Sequence, residues 1–170
     1  MKAFLLTTLL VLATPGFAQT ATRRADSACG PNDVRFNVKL DQARPSLAQP
    51  QPGKALVYFL QDYGSANYPG IAQVTKVGID GAWVGANKDD SWFSVNVDPG
   101  EHHVCVNAQA RIFGGVREFA DFTAEAGHVY FFRTRDLMWK TQRLEFGKTN
   151  RDQALYMIEL YPLSTSHPNK

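Results

Sequence analysis

Between Val74 and Val106 apolar and polar positions alternate in short runs, VTKVGIDGAWVG and then SWFSVNVDPGEHHVCV, which reads as one continuous β-meander. Its breaks fall at Asp80-Gly81 and at Asp98-Pro99-Gly100. Asp-Gly between alternating flanks signals a hairpin, because a type I′ turn needs positive φ at both central residues. Pro99-Gly100 suits the middle of a type II turn, with proline pre-setting φ and glycine taking the positive value. Three strands are therefore expected in quick succession. Phe93, Val95 and Val97 share one face against Trp92, Ser94 and Asn96, and Val104 and Val106 share a face with His102 against His103, Cys105 and Asn107. The valines mark the core side, so Cys105 points away from it.

The same pattern extends outward. Val34, Phe36, Val38 and Leu40 alternate with polar residues and predict a half-buried strand, followed by an extended connector whose Pro45, Pro50 and Pro52 exclude regular pairing. KALVYFLQ (Lys54 to Gln61) is a near-continuous apolar run, as expected of a strand covered on both faces. DYGSANYPG (Asp62 to Gly70) is turn-rich, Gly114-Gly115 marks another turn, and REFADFT (Arg117 to Thr123) alternates weakly. HVYFFRTR (His128 to Arg135) has the aromatic density of a buried strand, and QRLEF (Gln142 to Phe146) predicts a short one. Asn150 then reads as a helix N-cap, with Asp152 in the first turn, Ala154, Leu155, Ile158 and Tyr161 on one face, and Pro162 as the stop. Eight or so strands with one terminal helix predict an all-β sandwich of the immunoglobulin or prealbumin type. It is expected to run from 54 to 163, with 19–53 as a strap and connector and 164–170 as a flexible polar tail.

The first 18 residues stand outside this pattern. Lys2, an apolar run from Ala3 to Ala13, and small residues at Gly16 and Ala18 form a secretory signal with cleavage after Ala18. A lipid anchor at Cys29 is not expected, because charged Arg23-Arg24 and then Asp26-Ser27-Ala28 separate it from the apolar run. No second apolar run approaches the ~20 residues of a membrane helix, so the mature chain is expected to be exported and not to span a membrane. Without Lys2, the 18 basic residues become 17 against 16 acidic ones, a formal charge of +1. Such balance, with no basic run, offers no electrostatic footprint for nucleic acid or anionic lipid. The two cysteines, Cys29 and Cys105, predict one disulfide in an oxidising compartment, closing a loop of roughly 75 residues worth on the order of 4 kcal/mol in the chain-entropy account.

The turn and strand residues also carry a likeness. Pro52-Gly53-Lys54-Ala55-Leu56-Val57-Tyr58-Phe59, Asp80-Gly81 with Val84-Gly85, Pro99-Gly100-Glu101-His102, and Ala126-Gly127-His128-Val129-Tyr130-Phe131 together resemble a family of bacterial exported or lipoprotein β-domains of unknown function. The chain is similar as well to surface-layer domains named for a Pro-Glu-Gly-Ala motif. The resemblance covers Pro52 to Ile158 and implies a non-enzymatic module of the cell envelope, without catalytic residues.

Candidate chemistry changes this little. His102 and His103, as strand neighbours, face opposite sides and cannot chelate one ion together without a bulge; a metal site would have to recruit His128 or an aspartate. There is no Gly-x-Ser-x-Gly elbow, and a Cys105 nucleophile competes with the disulfide. Asp89-Asp90 read as a solvated turn or a weak calcium site, and Gly64 and Gly114-Gly115 lack a phosphate-cradling context. The aromatics Trp83, Trp92, Tyr63, Tyr68 and Trp139 fall at turns or opposite the valine stripe. We expect the N-terminal segment and the helix to cover them; the alternative is a carbohydrate- or peptide-binding platform, with Trp83, Trp92, Tyr63 and Tyr68 as the contacts. A hydrolase is the third reading. The expectation is thus a non-catalytic envelope module, structural or protein-binding, without cofactor or metal, whose partner is an envelope protein or a glycan.

Overall fold

The computed structural model describes residues 28–42, 46–63, 74–109, 115–136 and 144–169. In chain order its elements are β1 (Arg35–Asp41), β2 (Ala55–Asp62), β3 (Val74–Ile79), β4 (Ala82–Lys88), β5 (Ser91–Val97), β6 (Gly100–Ala108), β7 (Arg117–Ala124), β8 (Val129–Asp136), β9 (Leu144–Lys148), α1 (Arg151–Leu160) and β10 (Leu163–Asn169). The strands form two sheets, one ordered β1-β10-β5-β2-β8-β9 and one ordered β4-β3-β6-β7. The main core lies between them, with Val57, Phe59, Phe93 and Phe132 from the larger sheet meeting Val77, Val104, Val106 and Phe122 from the smaller. A second core lies on the outer face of the larger sheet, where Leu56, Tyr58, Leu60 and Trp92 pack under Ala154, Met157 and Ile158 of α1.

Strand β2 explains both cores. Its unbroken apolar run offers odd positions to one face and even positions to the other, and every residue from Ala55 to Gln61 is buried. It is flanked by β5 antiparallel and β8 parallel, so its backbone bonds are satisfied on both edges as well.

The Asp80-Gly81 hairpin is present, with φ of 49° and 87° at its two central residues, as a type I′ turn demands. The expected continuous meander is not. β5 pairs with β2 in the larger sheet, whereas β6 pairs with β3 and β7 in the smaller one. The chain therefore crosses from one sheet to the other at Asp98-Pro99-Gly100 instead of folding back beside itself. Gly100 does take a positive φ, 138°. The same turn residues serve an arch between sheets as well as a hairpin, and Phe93 and Val104 end up on opposing walls of the core instead of side by side.

The tail is the other correction. Residues 163–169 are not free but form β10, paired antiparallel with β1 from Arg35↔Asn169 to Asp41↔Leu163 and joined to β5 at Leu163↔Trp92. Ser164 Oγ–H donates to the Ala86 carbonyl at 2.7 Å, and Ser166 Oγ accepts the Ala86 N–H at 2.9 Å. These two hydroxyls thus tie β10 to the backbone of β4 in the other sheet. Since β1 belongs to the same sheet, the β structure begins inside the expected strap and ends past the expected boundary. α1 is capped as read: Asn150 Oδ1 accepts the Gln153 N–H at 2.8 Å, though Met157 and not Leu155 completes the buried face.

Candidate functional site

Three places gather the residues that carry chemistry. The first is the strap at Ala28 to Val34. Cys29 and Cys105 form a disulfide with a Cα–Cα distance of 5.2 Å, inside the ordinary window. Cys105 is wholly buried on the outer face of the smaller sheet, as the alternation of β6 required. Trp83 packs over this bridge and its Nε1–H donates to the Pro31 carbonyl at 2.7 Å. Lys76 holds the other side: its Nζ donates to the Val34 carbonyl at 2.8 Å and lies 4.2 Å from the Trp83 ring centroid. Burial pulls the Lys76 pKa down, with Arg117 and Arg35 adding repulsion against the pull of Asp33. Strap and sheet approach so closely that a Cβ on Gly78 would stand 2.8 Å from the Ala28 carbonyl oxygen.

The second place is a histidine and carboxylate cluster at one end of the smaller sheet. His102 Nδ1–H donates to Asp80 Oδ2 at 2.6 Å and Nε2–H to the Asp98 carbonyl at 2.7 Å, which ties the β3–β4 turn to the β5–β6 arch. Both partners are acceptors, so the ring is fully bonded only as an imidazolium. Burial pulls the His102 pKa down, but the Asp98 carbonyl and the Asp80 carboxylate outweigh it and leave the ring above its ordinary value. For Asp80, burial pushes the pKa up, and the His103 N–H and His102 more than reverse it. His103 Nδ1 bonds Asp121 Oδ1 at 2.6 Å on the other face, so the two imidazoles diverge as strand geometry requires. His128 pairs at long range with Glu125. Among the described residues no group of three His, Cys, Asp or Glu side chains is placed to hold a metal ion.

Asp90 is neither a solvated turn residue nor part of such a group: its Oδ1 accepts the Tyr63 N–H at 2.6 Å. Burial raises its pKa, and Asp62 and Asp89 add to that against the Tyr63 bond. Arg133 is ion-paired with Asp62 nearby in the register of β8 and β2.

The third place is a groove of about 480 Å³ on the outer face of the larger sheet, between the connector and α1. Its floor is Tyr58 and Phe131, stacked with centroids 5.4 Å apart. The Tyr58 hydroxyl accepts the Ala48 N–H at 2.9 Å and so pins the connector as one wall; burial, partly offset by the Ala48 backbone, raises its pKa. Arg151 and Leu155, one turn apart on α1, form the other wall. Lys148 also lines the groove, but its Nζ lies over the Phe122 and Tyr130 rings, 5.9 and 5.8 Å from their centroids. The sequence named none of these residues as a candidate contact.

Of the residues that did, Trp92 is 4 % exposed, lies in the second core, and donates Nε1–H to the Tyr161 carbonyl at 3.0 Å. Trp83 is half-buried under the strap and Tyr63 half-buried beside Asp90. The N-terminal segment and the helix region thus cover the two tryptophans, which lie on different sheets, Trp83 on the smaller and Trp92 on the larger. Tyr68, Trp139, Gly64 and Gly114 lie outside the described residues.

No curated protein and no solved structure matches the chain. A family model described as a protein of unknown function, DUF2846, matches residues 51–145, from the end of the connector to the start of β9. That span takes in both faces of β2 and the whole smaller sheet, and it covers more than half of the chain. The protein belongs to the DUF2846 family.

Proposed function

We propose that the chain is a non-catalytic module of the cell envelope, exported through its first 18 residues, whose immunoglobulin- or prealbumin-like sandwich braces or binds another protein there. The observation that carries this reading is the Cys29–Cys105 disulfide, which uses both cysteines to staple the strap across a sheet. Such a bond persists in oxidising compartments and is removed in reducing ones. The imidazoles support the absence of catalysis, since His102 spends both nitrogens on turn geometry and His103 is bonded to Asp121. The covered tryptophans weaken a glycan platform, because stacking on a sugar needs an open indole face.

The test is expression of the full chain in a bacterial host, followed by fractionation, N-terminal sequencing and thiol alkylation before and after reduction. A periplasmic product starting at Gln19 with no free thiol is expected. A product kept in the cytosol, or an exported one with two reactive thiols, overturns the reading.

A further inference from the structure

We infer that the outward stripe of α1, formed by Asp152, Tyr156, Glu159 and Leu160, is a docking surface for a basic amphipathic segment of a partner protein, one that sets large apolar side chains beside lysine or arginine. Helical spacing puts these four residues on the side opposite the buried Ala154, Met157 and Ile158, and all four are exposed. Of the five exposed large hydrophobic side chains among the described residues, Tyr156 at 64 % and Leu160 at 53 % are the most exposed. Their i, i+4 spacing makes them neighbours on the helix surface. The packing of the fold does not call for them, because Leu56, Tyr58, Leu60 and Trp92 are met by the other side of the helix. α1 lies beyond residues 51–145, so the surface belongs to a part of the chain that the family model does not match.

Charge selects the occupant. Asp152 stands in the first turn, where the helix dipole favours an anion, and the fold accounts for it. Glu159 stands in the last turn, which holds no basic residue, so carboxylate and dipole oppose each other there. Among the described residues neither carboxylate is ion-paired. Arg151, the remaining charge of α1, lines the groove with Leu155 and lies off the stripe. Burial first, and then Asp62 and Asp90, push the Tyr161 hydroxyl up to about 12 against the pull of Arg133, which places further carboxylates near the end of the helix. A cation set between two apolar side chains answers both halves of the stripe. A second copy of the chain brings only the same two carboxylates to it, and an anionic lipid surface is repelled for the same reason. A helix of 10 residues, about 15 Å by 10 Å, also presents far less than the ~800 Å² per partner of a standard interface, so the occupant is a single segment. The inference rests on the protein-binding half of the proposed function and not on export.

The test uses the mature full-length chain and two synthetic amphipathic helical peptides, one of leucine and lysine and one of leucine and glutamate, titrated while backbone amide shifts are followed by NMR. Saturable binding of the lysine peptide is expected, with shifts centred on α1 and weakened by salt, and none of the glutamate peptide. Glu159→Lys should weaken the lysine peptide roughly tenfold and yet raise the thermal midpoint, because a cation suits the last turn. A purely structural role for Glu159 would move neither in that way. Tyr156→Ala with Leu160→Ala should abolish binding while the helix persists, since alanine has the highest helix propensity. No saturable binding, equal binding of the two peptides, shifts centred away from α1, or unchanged affinity in both variants overturns the inference. So does a dimer in sedimentation velocity that the double alanine variant abolishes, which would give the face to a second copy, or co-sedimentation with phosphatidylglycerol vesicles lost in that variant, which would give it to a lipid surface. Failure here is separate from failure of the envelope reading, which fractionation and thiol alkylation decide.

Discussion

Breaking the Cys29–Cys105 bond is the sharpest test of how the strap is held. The bridge joins residues 76 apart, and the chain-entropy relation for such a loop gives about 15 cal/mol/K, or ~4.5 kcal/mol at 25 °C. For a chain of this size ~1 kcal/mol corresponds to roughly 2–4 °C, so reduction should lower the thermal midpoint by roughly 9–18 °C. Reduced wild type isolates the loop contribution, since the sulfurs still fill their places. Cys29→Ala with Cys105→Ala adds a packing loss at the fully buried Cys105 and should fall slightly lower. Gly78→Ala approaches the same strap from the sheet side: its Cβ would meet the Ala28 carbonyl at 2.8 Å and lift the strap with the bond intact. Thermal melts followed by circular dichroism, with tryptophan emission reporting Trp83 under the strap, read all three. Oxidised and reduced melts that coincide within about 2 °C would refute the reasoning, because the loop would then be restrained by something else.

Trp92→Ala should cost about 3–5 kcal/mol in urea unfolding, as for a buried aromatic, whereas Trp92→Phe should lose only the bond to Tyr161, about 1 kcal/mol; near-neutral values for both would mean that the indole is not a core residue. Deleting residues 163–170 should lower the midpoint and expose the β1 amides to hydrogen exchange, because β10 is the partner of β1 throughout its length; an unchanged melt would restore the picture of a loose tail. His102→Gln should be more damaging at pH 5.5 than at pH 8.5. The ring has a raised pKa in the fold, so its contribution is complete below its ordinary 6.5 and is lost as pH rises through the raised value. Asp80, lowered in the fold, contributes above its ordinary 3.8 and fails as pH falls through the depressed value, so the pair is strongest between the two. Equal damage at both pH values in urea melts would remove the imidazolium from the account.

What the sequence shows and hides follows from what each signal depends on. Asp80-Gly81 is legible because two successive positive φ angles admit few residues. β2 is legible because only burial on both faces tolerates its run of apolar side chains. Asn150 is legible because the cap bond to Gln153 is local. The crossing of β5 and β6 between sheets is hidden, since alternation fixes which face a residue takes but not which strand lies beside it. β10 is hidden for a related reason: its serines and Asn169 are held by Ala86 and by Asn37 across the sheet, and no local pattern marks them as strand.

The candidate site was hidden because conspicuous residues are conspicuous for structural reasons. Trp83, Trp92 and the paired histidines draw the eye, and each is bonded within the fold: Trp83 to the strap, Trp92 in the second core, His102 to two turns and His103 to Asp121 of β7. The groove instead arises from a mismatch of sizes. Six strands at ~4.8 Å spacing span roughly 24 Å between the outermost two, and a helix of 10 residues is only about 15 Å long and 10–12 Å across. α1 therefore cannot roof the outer face alone, and the proline-bearing connector, pinned at Tyr58, covers part of what is left. The remaining gap has an aromatic floor because the outward positions of β2 and β8 were selected to meet a roof. Four unremarkable segments meet there, and the groove is what the short helix leaves between them.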